Sequence, residues 1–169
     1  MPAASDLASW RACPRCGDTL EHEASSVRCP ACGLTVYANP APTASAIVLD
    51  GRGRVLLARR AAEPGKGRWD LLGGFIDEDE APLAALRREL DEEIGTEIEP
   101  GEFVGGFADR YGEDGPPTVN FYWTARVRGE PQPSDEIAEL RWFEADDLPA
   151  PAEFAFANTV EALRAWRKK

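Results

Sequence analysis

GFIDEDEAPLAALRRELDEEIGT, residues 74–96, opens on glycine and acidic residues and turns amphipathic at Pro82. A helical residue advances by about 100°, so Leu83, Leu86, Leu90 and Ile94 fall on one apolar stripe. Pro82 suits a first helical turn, and Gly95 suits the residue just past a helix end. The spacing therefore predicts a helix over 82–94. Glu89, Glu92 and Glu93, three and four apart, share a neighbouring arc on which their carboxylates converge. Like charges repel at that spacing, and the negative end of the helix macrodipole adds to the cost. A cation would offset both. A solvated acidic face would account for the charge run. It would not account for Gly73-Gly74-Phe75 before the helix, Glu80 at its entrance or Arg88 among the acids.

The oxygens on offer are hard donors, which suit Mg²⁺ or Mn²⁺ better than zinc. Such an ion keeps part of its water shell and accepts phosphate oxygens, so the segment points to chemistry on a diphosphate with water as nucleophile. Gly73 is a candidate to add its carbonyl oxygen to the ion.

Cys13-Pro-Arg-Cys16-Gly17 and Cys29-Pro-Ala-Cys32-Gly33, with twelve residues between the pairs, are the second signal. Two such turns supply four thiolates to one tetrahedral Zn²⁺, forming a zinc ribbon. Disulfides or metal-free thiols are the competing reading, and the chain shows no secretory feature to favour it. A segment this short has almost no core, so the ion would supply its folding energy. His22, the single histidine, reads as a surface residue.

A chain of 169 residues, 43% hydrophobic and 29% charged, can hold one sizeable core plus a small appendage. No apolar run approaches membrane-spanning length, and MPAASDLASWRA lacks the basic start and apolar stretch of a secretion signal, so a cytoplasmic protein is expected. The net charge of −11 argues against a long nucleic-acid partner, which clustered Lys and Arg would have to grip. A small nucleotide stays allowed. Arg59, Arg60, Lys66 and Arg68 form a basic stretch that could meet phosphates or be a solvated loop.

Residues 1–38 are expected to form the ribbon and residues 39–169 the larger domain, joined by the stiff Asn39-Pro40-Ala41-Pro42. Strands are predicted over 43–50 and 54–59 around Gly51-Arg52-Gly53, over 69–76 with a tight turn at Gly73-Gly74, and over 103–110, 118–128 and 137–143. A closing helix is predicted over 154–167. Trp69 and Trp142 read as core. Helices against a mixed sheet make an α/β sandwich.

The two cysteine turns, the link Tyr-Ala-Asn-Pro-Ala-Pro, the hairpin and the pattern Gly74, Glu80, Arg88-Glu89, Glu92-Glu93, Gly95 together resemble the zinc-ribbon Nudix hydrolases. That group includes NADH pyrophosphatases and related FAD or ADP-ribose pyrophosphatases. The resemblance covers nearly the whole chain. It implies a Nudix α/β/α sandwich behind a structural zinc ribbon, hydrolysis of a nucleotide diphosphate by metal-activated water, and a homodimer as a family-based expectation. It carries divalent-metal binding to Glu89, Glu92, Glu93 and Glu136, with Glu89 or Glu136 as general base and Arg88 holding the carboxylates. It carries contact with the nucleotide base to Tyr37 and Phe75, for which ordinary packing is an even alternative.

Two places depart from the group's pattern. Thr96 stands where an aliphatic residue is usual, which alters packing and no metal ligand. The stretch from Gly106 to Gly112 does not match the Ser-Gln-Pro-Trp-Pro-Phe-Pro signature of the NADH pyrophosphatases. The expected substrate therefore moves toward ADP-ribose or FAD, with NADH behind them and NAD-type RNA caps in doubt. Phe154-Ala155-Phe156-Ala157-Asn158 is weakly similar to a stretch in the FAD- and ADP-ribose-cleaving members. Two other readings stay open: a nucleotide-sensing module with the ribbon as adaptor, and clean-up of damaged nucleoside triphosphates.

Overall fold

The computed structural model describes residues 4–168, so the first three residues of the expected ribbon and Lys169 lie outside the described residues. Strands β1 (Glu21–His22), β2 (Ser26–Arg28) and β3 (Thr35–Tyr37) form a separate antiparallel sheet. Its core is Leu7, Leu20, Val27, Cys13 and Cys29, drawn wholly from this part of the chain.

The larger sheet contains β4 (Ala41–Leu49), β5 (Val55–Arg60), β6 (Trp69–Asp70), β7 (Leu72–Phe75), β8 (Ile98–Arg110), β9 (Pro117–Val127) and β10 (Ile137–Phe143). Its main path runs β10-β5-β4-β9-β8. β4 lies parallel to β9, while the other pairs are antiparallel, so the sheet is mixed as expected. Ala41 and Pro42 belong to β4 rather than to a free connector, because they open the parallel pairing at Thr118 and Val119.

β4 and β5 pair only at Val48–Leu56 and Leu49–Val55, beside their turn. Beyond it they part, and β6 pairs with β5 while β7 pairs with β4. The strand predicted over 69–76 is thus two short strands with different partners, changing over at Leu71. The run Trp-Asp-Leu-Leu-Gly-Gly-Phe contains no polar break that would reveal the change.

Helices α1 (Pro82–Ile94) and α2 (Ala157–Trp166) cover opposite faces. Ala44, Ala46 and Val48 of β4 and Leu56 of β5 pack with Leu86, Leu90 and Ile94 of α1. Ile47, Val55 and Leu57 pack with Ala162 and Leu163 of α2. Burial on both faces explains why β4 reads as an almost unbroken apolar run. α1 has Pro82 in its first turn and the left-handed Gly95 (φ 61°) at its end, as the sequence predicted. Its buried stripe differs in one member: Ala85 is inside, and Leu83 is partly exposed.

β8 begins at Ile98, five residues before the prediction, with register shifts at Pro100/Phe103 and Phe103/Gly105. Pro and Gly at those bulges hid the strand. α2 begins three residues later than predicted. Phe154 is buried and bridges to Trp69, and Phe156 has extended backbone at the helix entrance. Trp69 is core as expected, and Trp142 packs partly buried on the α1 side. No helix among the described residues is long and apolar enough to cross a membrane.

Candidate active site

β7 passes close to α1, and two glycines permit the approach. Gly73 has φ +137°, and a Cβ there would stand 2.2 Å from the Ala44 carbonyl oxygen, so only glycine lets β7 lie against β4. Its N–H donates to Glu93 Oε2 at 2.8 Å. A Cβ on Gly74 would stand 2.3 Å from the Glu89 carboxylate, so the space a side chain would fill is the space Glu89 uses.

Arg88 ties the acids together. Its Nε and Nη2 donate to the two oxygens of Glu80 at 3.1 and 2.9 Å, and Nη2 also donates to the Phe75 carbonyl at 3.0 Å. Nη1 donates to Glu89 Oε1 at 2.8 Å and Glu92 Oε2 at 3.4 Å. The Arg88 hydrogen bond holds Glu80 below the usual carboxylate range. Burial pushes Glu93 up to about 8 against the opposing Gly73 N–H, and burial also raises Glu89 despite Arg88.

A cavity of about 170 Å³ adjoins these groups, and Gly73, Glu89, Glu93 and Glu136 line it. Glu92 does not; its side chain is 60% exposed and turned toward Arg88. Among the described residues the carboxylates are not gathered within reach of a single ion, whereas the four cysteines are. Buried acids destabilised in their charged form, joined by further hard oxygens, nevertheless fit a hard divalent cation. Glu89, Glu93, Glu136 and the Gly73 carbonyl are the donors nearest to hand.

Aromatic rings form another part of the wall. Phe75 meets Tyr111 edge-on at 5.2 Å between centroids, and Tyr111 stacks on Phe156 at 5.6 Å and 17°. Arg60 lies against the Tyr111 and Phe156 rings, at 5.8 and 5.3 Å. It donates to the Pro64 carbonyl at 2.7 Å and the Tyr111 hydroxyl at 3.2 Å, and its Nη1 is 3.6 Å from Asp70. Asp70 accepts from the Thr159 hydroxyl at 2.8 Å, and burial pushes it up to about 6.

Phe75 lines the cavity. Tyr37 does not; it sits on the outer strand of the ribbon sheet, 62% exposed. Of the basic stretch only Arg60 reaches the cavity. Arg59 covers the Trp69 ring at 4.5 Å and pairs with Glu139, and Lys66 and Arg68 are exposed. Sequence reasoning missed the roles of Asp70, Tyr111 and Asn158 as cavity-lining groups. The period-two spacing of Phe154 and Phe156 was the available sign that the chain is extended before α2, with one ring buried in the core and the other in the cavity wall.

In the ribbon, Cys13–Cys32 and Cys16–Cys29 sulfurs are 3.6 and 3.5 Å apart, and all four lie within 4.8 Å of one another. A tetrahedral zinc with Zn–S bonds of about 2.3 Å requires sulfur separations of about 3.8 Å. The four thiols fit zinc, and His22 is exposed outside the cluster.

Comparison with known proteins agrees with this geometry. The family model for the NUDIX domain matches residues 39–163. The chain is 32% identical over 170 residues to the NAD-capped RNA hydrolase NudC of Stutzerimonas stutzeri, covering 95% of this chain and 59% of that protein. It is 34% identical over 98 residues to the oxidized purine nucleoside triphosphate hydrolase of Danio rerio, covering 57% of this chain and 62% of that one. The chain thus spans less than two thirds of the length of these curated relatives. A crystal structure of a NUDIX hydrolase from Nitrosomonas europaea superposes with a TM-score of 0.75 at 23% identity, covering 94% of this chain and 91% of that one. That likeness concerns the fold.

Proposed function

Because this chain belongs to the NUDIX domain family, we propose that it is a pyrophosphohydrolase acting on a nucleoside diphosphate linked to a second moiety, with ADP-ribose or FAD preferred and NADH behind them. One observation carries the reading: the same cavity is lined by Glu89, Glu93 and Glu136 and by Phe75, Tyr111 and Phe156. A diphosphate needs countercharge held by carboxylates, and a nucleotide base needs flat apolar faces.

Bound Mg²⁺ or Mn²⁺ would neutralise charge on the leaving phosphate and lower the pKa of the attacking water. Glu89 or Glu136 would take the proton from that water. Arg88 is a positioning residue, fixing Glu89 through the 2.8 Å bond. Glu92 would complete the acidic set from its exposed position. Water adds across the phosphoanhydride, giving AMP and ribose 5-phosphate from ADP-ribose, or AMP and FMN from FAD. Tyr37 would contact base only if the ribbon presented it to a cavity, as in a homodimer. The zinc ribbon is structural in this reading, in a cytoplasmic protein with residues 1–38 and 39–169 as its two units.

The relatives' names speak of NAD-capped RNA and of oxidized purine triphosphates. The net charge of −11 and the unmatched signature after the acidic helix favour a small dinucleotide. Incubation with Mg²⁺ and, in parallel, ADP-ribose, FAD, NADH and an oxidized purine triphosphate, with products identified by mass spectrometry, tests this. AMP from ADP-ribose or FAD, lost in Glu93→Gln, supports the proposal. Turnover of the triphosphate alone would replace it with the clean-up reading, and tight ADP-ribose binding without turnover would favour a sensor.

A further inference from the structure

Among the described residues, one polar atom lining the cavity is buried with nothing in the protein to satisfy it. Asn158 is 3% exposed and lines the cavity, and its Oδ1 has no hydrogen-bond partner. The residue is held firmly by other means. Its backbone N–H donates to Asp109 Oδ2 at 3.0 Å at the start of α2. The neighbouring Thr159 hydroxyl donates to Asp70 at 2.8 Å, so it is already committed elsewhere. A buried amide oxygen left unpaired costs on the order of 1–3 kcal/mol, a cost removed if a ligand brings the missing donor.

The ligand must therefore present an N–H to Asn158. The same cavity offers the faces and edges of Phe75, Tyr111 and Phe156, which suit a flat ring. We propose that Asn158 is the specificity-determining residue for the base: its Oδ1 accepts from the exocyclic amine of an adenine packed against these rings. Its amide NH₂ suits the adjacent ring nitrogen, the two-point pairing by which asparagine recognises an adenine edge. Hypoxanthine presents a carbonyl at the amine position and would set oxygen against oxygen. The inference rests on the nucleotide-hydrolase reading of the cavity, but it concerns binding of the base and is tested without turnover.

Titration calorimetry on the purified chain would compare AMP, IMP and the 5′-monophosphate of purine riboside, which lacks the 6-amino group. AMP should bind at least about tenfold more tightly than either, the scale of one buried hydrogen bond to a fixed partner. Asn158→Leu, similar in volume, should bring the three within about twofold. Equal affinities in the native protein, or no binding of AMP, would overturn the inference, and this arm needs no variant to fold. Discrimination that survives in folded Asn158→Leu would also overturn it, by placing recognition elsewhere. Selective AMP binding without hydrolysis of ADP-ribose, FAD or NADH would leave the inference standing and remove the proposed function.

Discussion

Gly73 and Gly74 are neighbours of one residue type, yet they protect different things. An alanine at Gly73 meets backbone and must adopt a positive φ, so Gly73→Ala should destabilise by roughly 2–4 kcal/mol, read as a lower Tm. An alanine at Gly74 meets only the end of the Glu89 side chain, which can swing away. Gly74→Ala should therefore cost less than about 1 kcal/mol of stability while lowering kcat at least about tenfold. Equal losses of Tm in the two variants would refute this division. Titration separates two buried acids in the same way. Glu93 is raised from 4.5 to about 8 and Asp70 from 3.8 to about 6. Between those values the folded chain keeps protons that the unfolded chain releases, so stability falls as pH rises. Melts without divalent metal should lose Tm from about pH 5 to pH 8, and Glu93→Gln should flatten the part above pH 6. A native Tm unchanged across that range would contradict the assignment. The cysteines and the helix glutamates were legible because their spacing is local. Asp70 was not: its partner Thr159 lies 89 positions away, and nothing near Asp70 in sequence announces the pair.

At the scale of elements, Arg88 connects the first half of α1 to the strand end at Phe75 and to Glu80 in the loop between them. Lysine would keep the charge and lose the fork. Arg88→Lys is expected to lower kcat by about ten- to a hundredfold with a Tm loss of only a few degrees, measured on one preparation. A kcat unchanged beside a large Tm loss would make Arg88 purely structural. α1 could be read end to end because one local pattern fixes its stripe, its proline and its glycine. β6 and β7 could not, since the change of partner at Leu71 depends on where β4 and β5 separate. The early start of β8 was hidden by its own Pro100 and Gly101.

The whole molecule contains a cysteine-bearing core in the ribbon apart from the two cores that flank the large sheet. Sequence located that division near residue 38 because composition and cysteine turns change there, although the large sheet already begins at Ala41. Removal of zinc with a strong chelator should abolish amide protection over residues 13–37 while β4 and β9 stay protected in hydrogen exchange. Loss of protection across both units together would show one cooperative body. The parting of β4 and β5 carries a consequence in time. Their turn-proximal contacts can close within microseconds, whereas Thr43 and Asn120 meet across 77 positions and β7 must enter a gap whose other strands come from far along the chain. The chamber between them is expected to be the last region to assemble, so a refolding time course should recover sheet signal before it recovers activity.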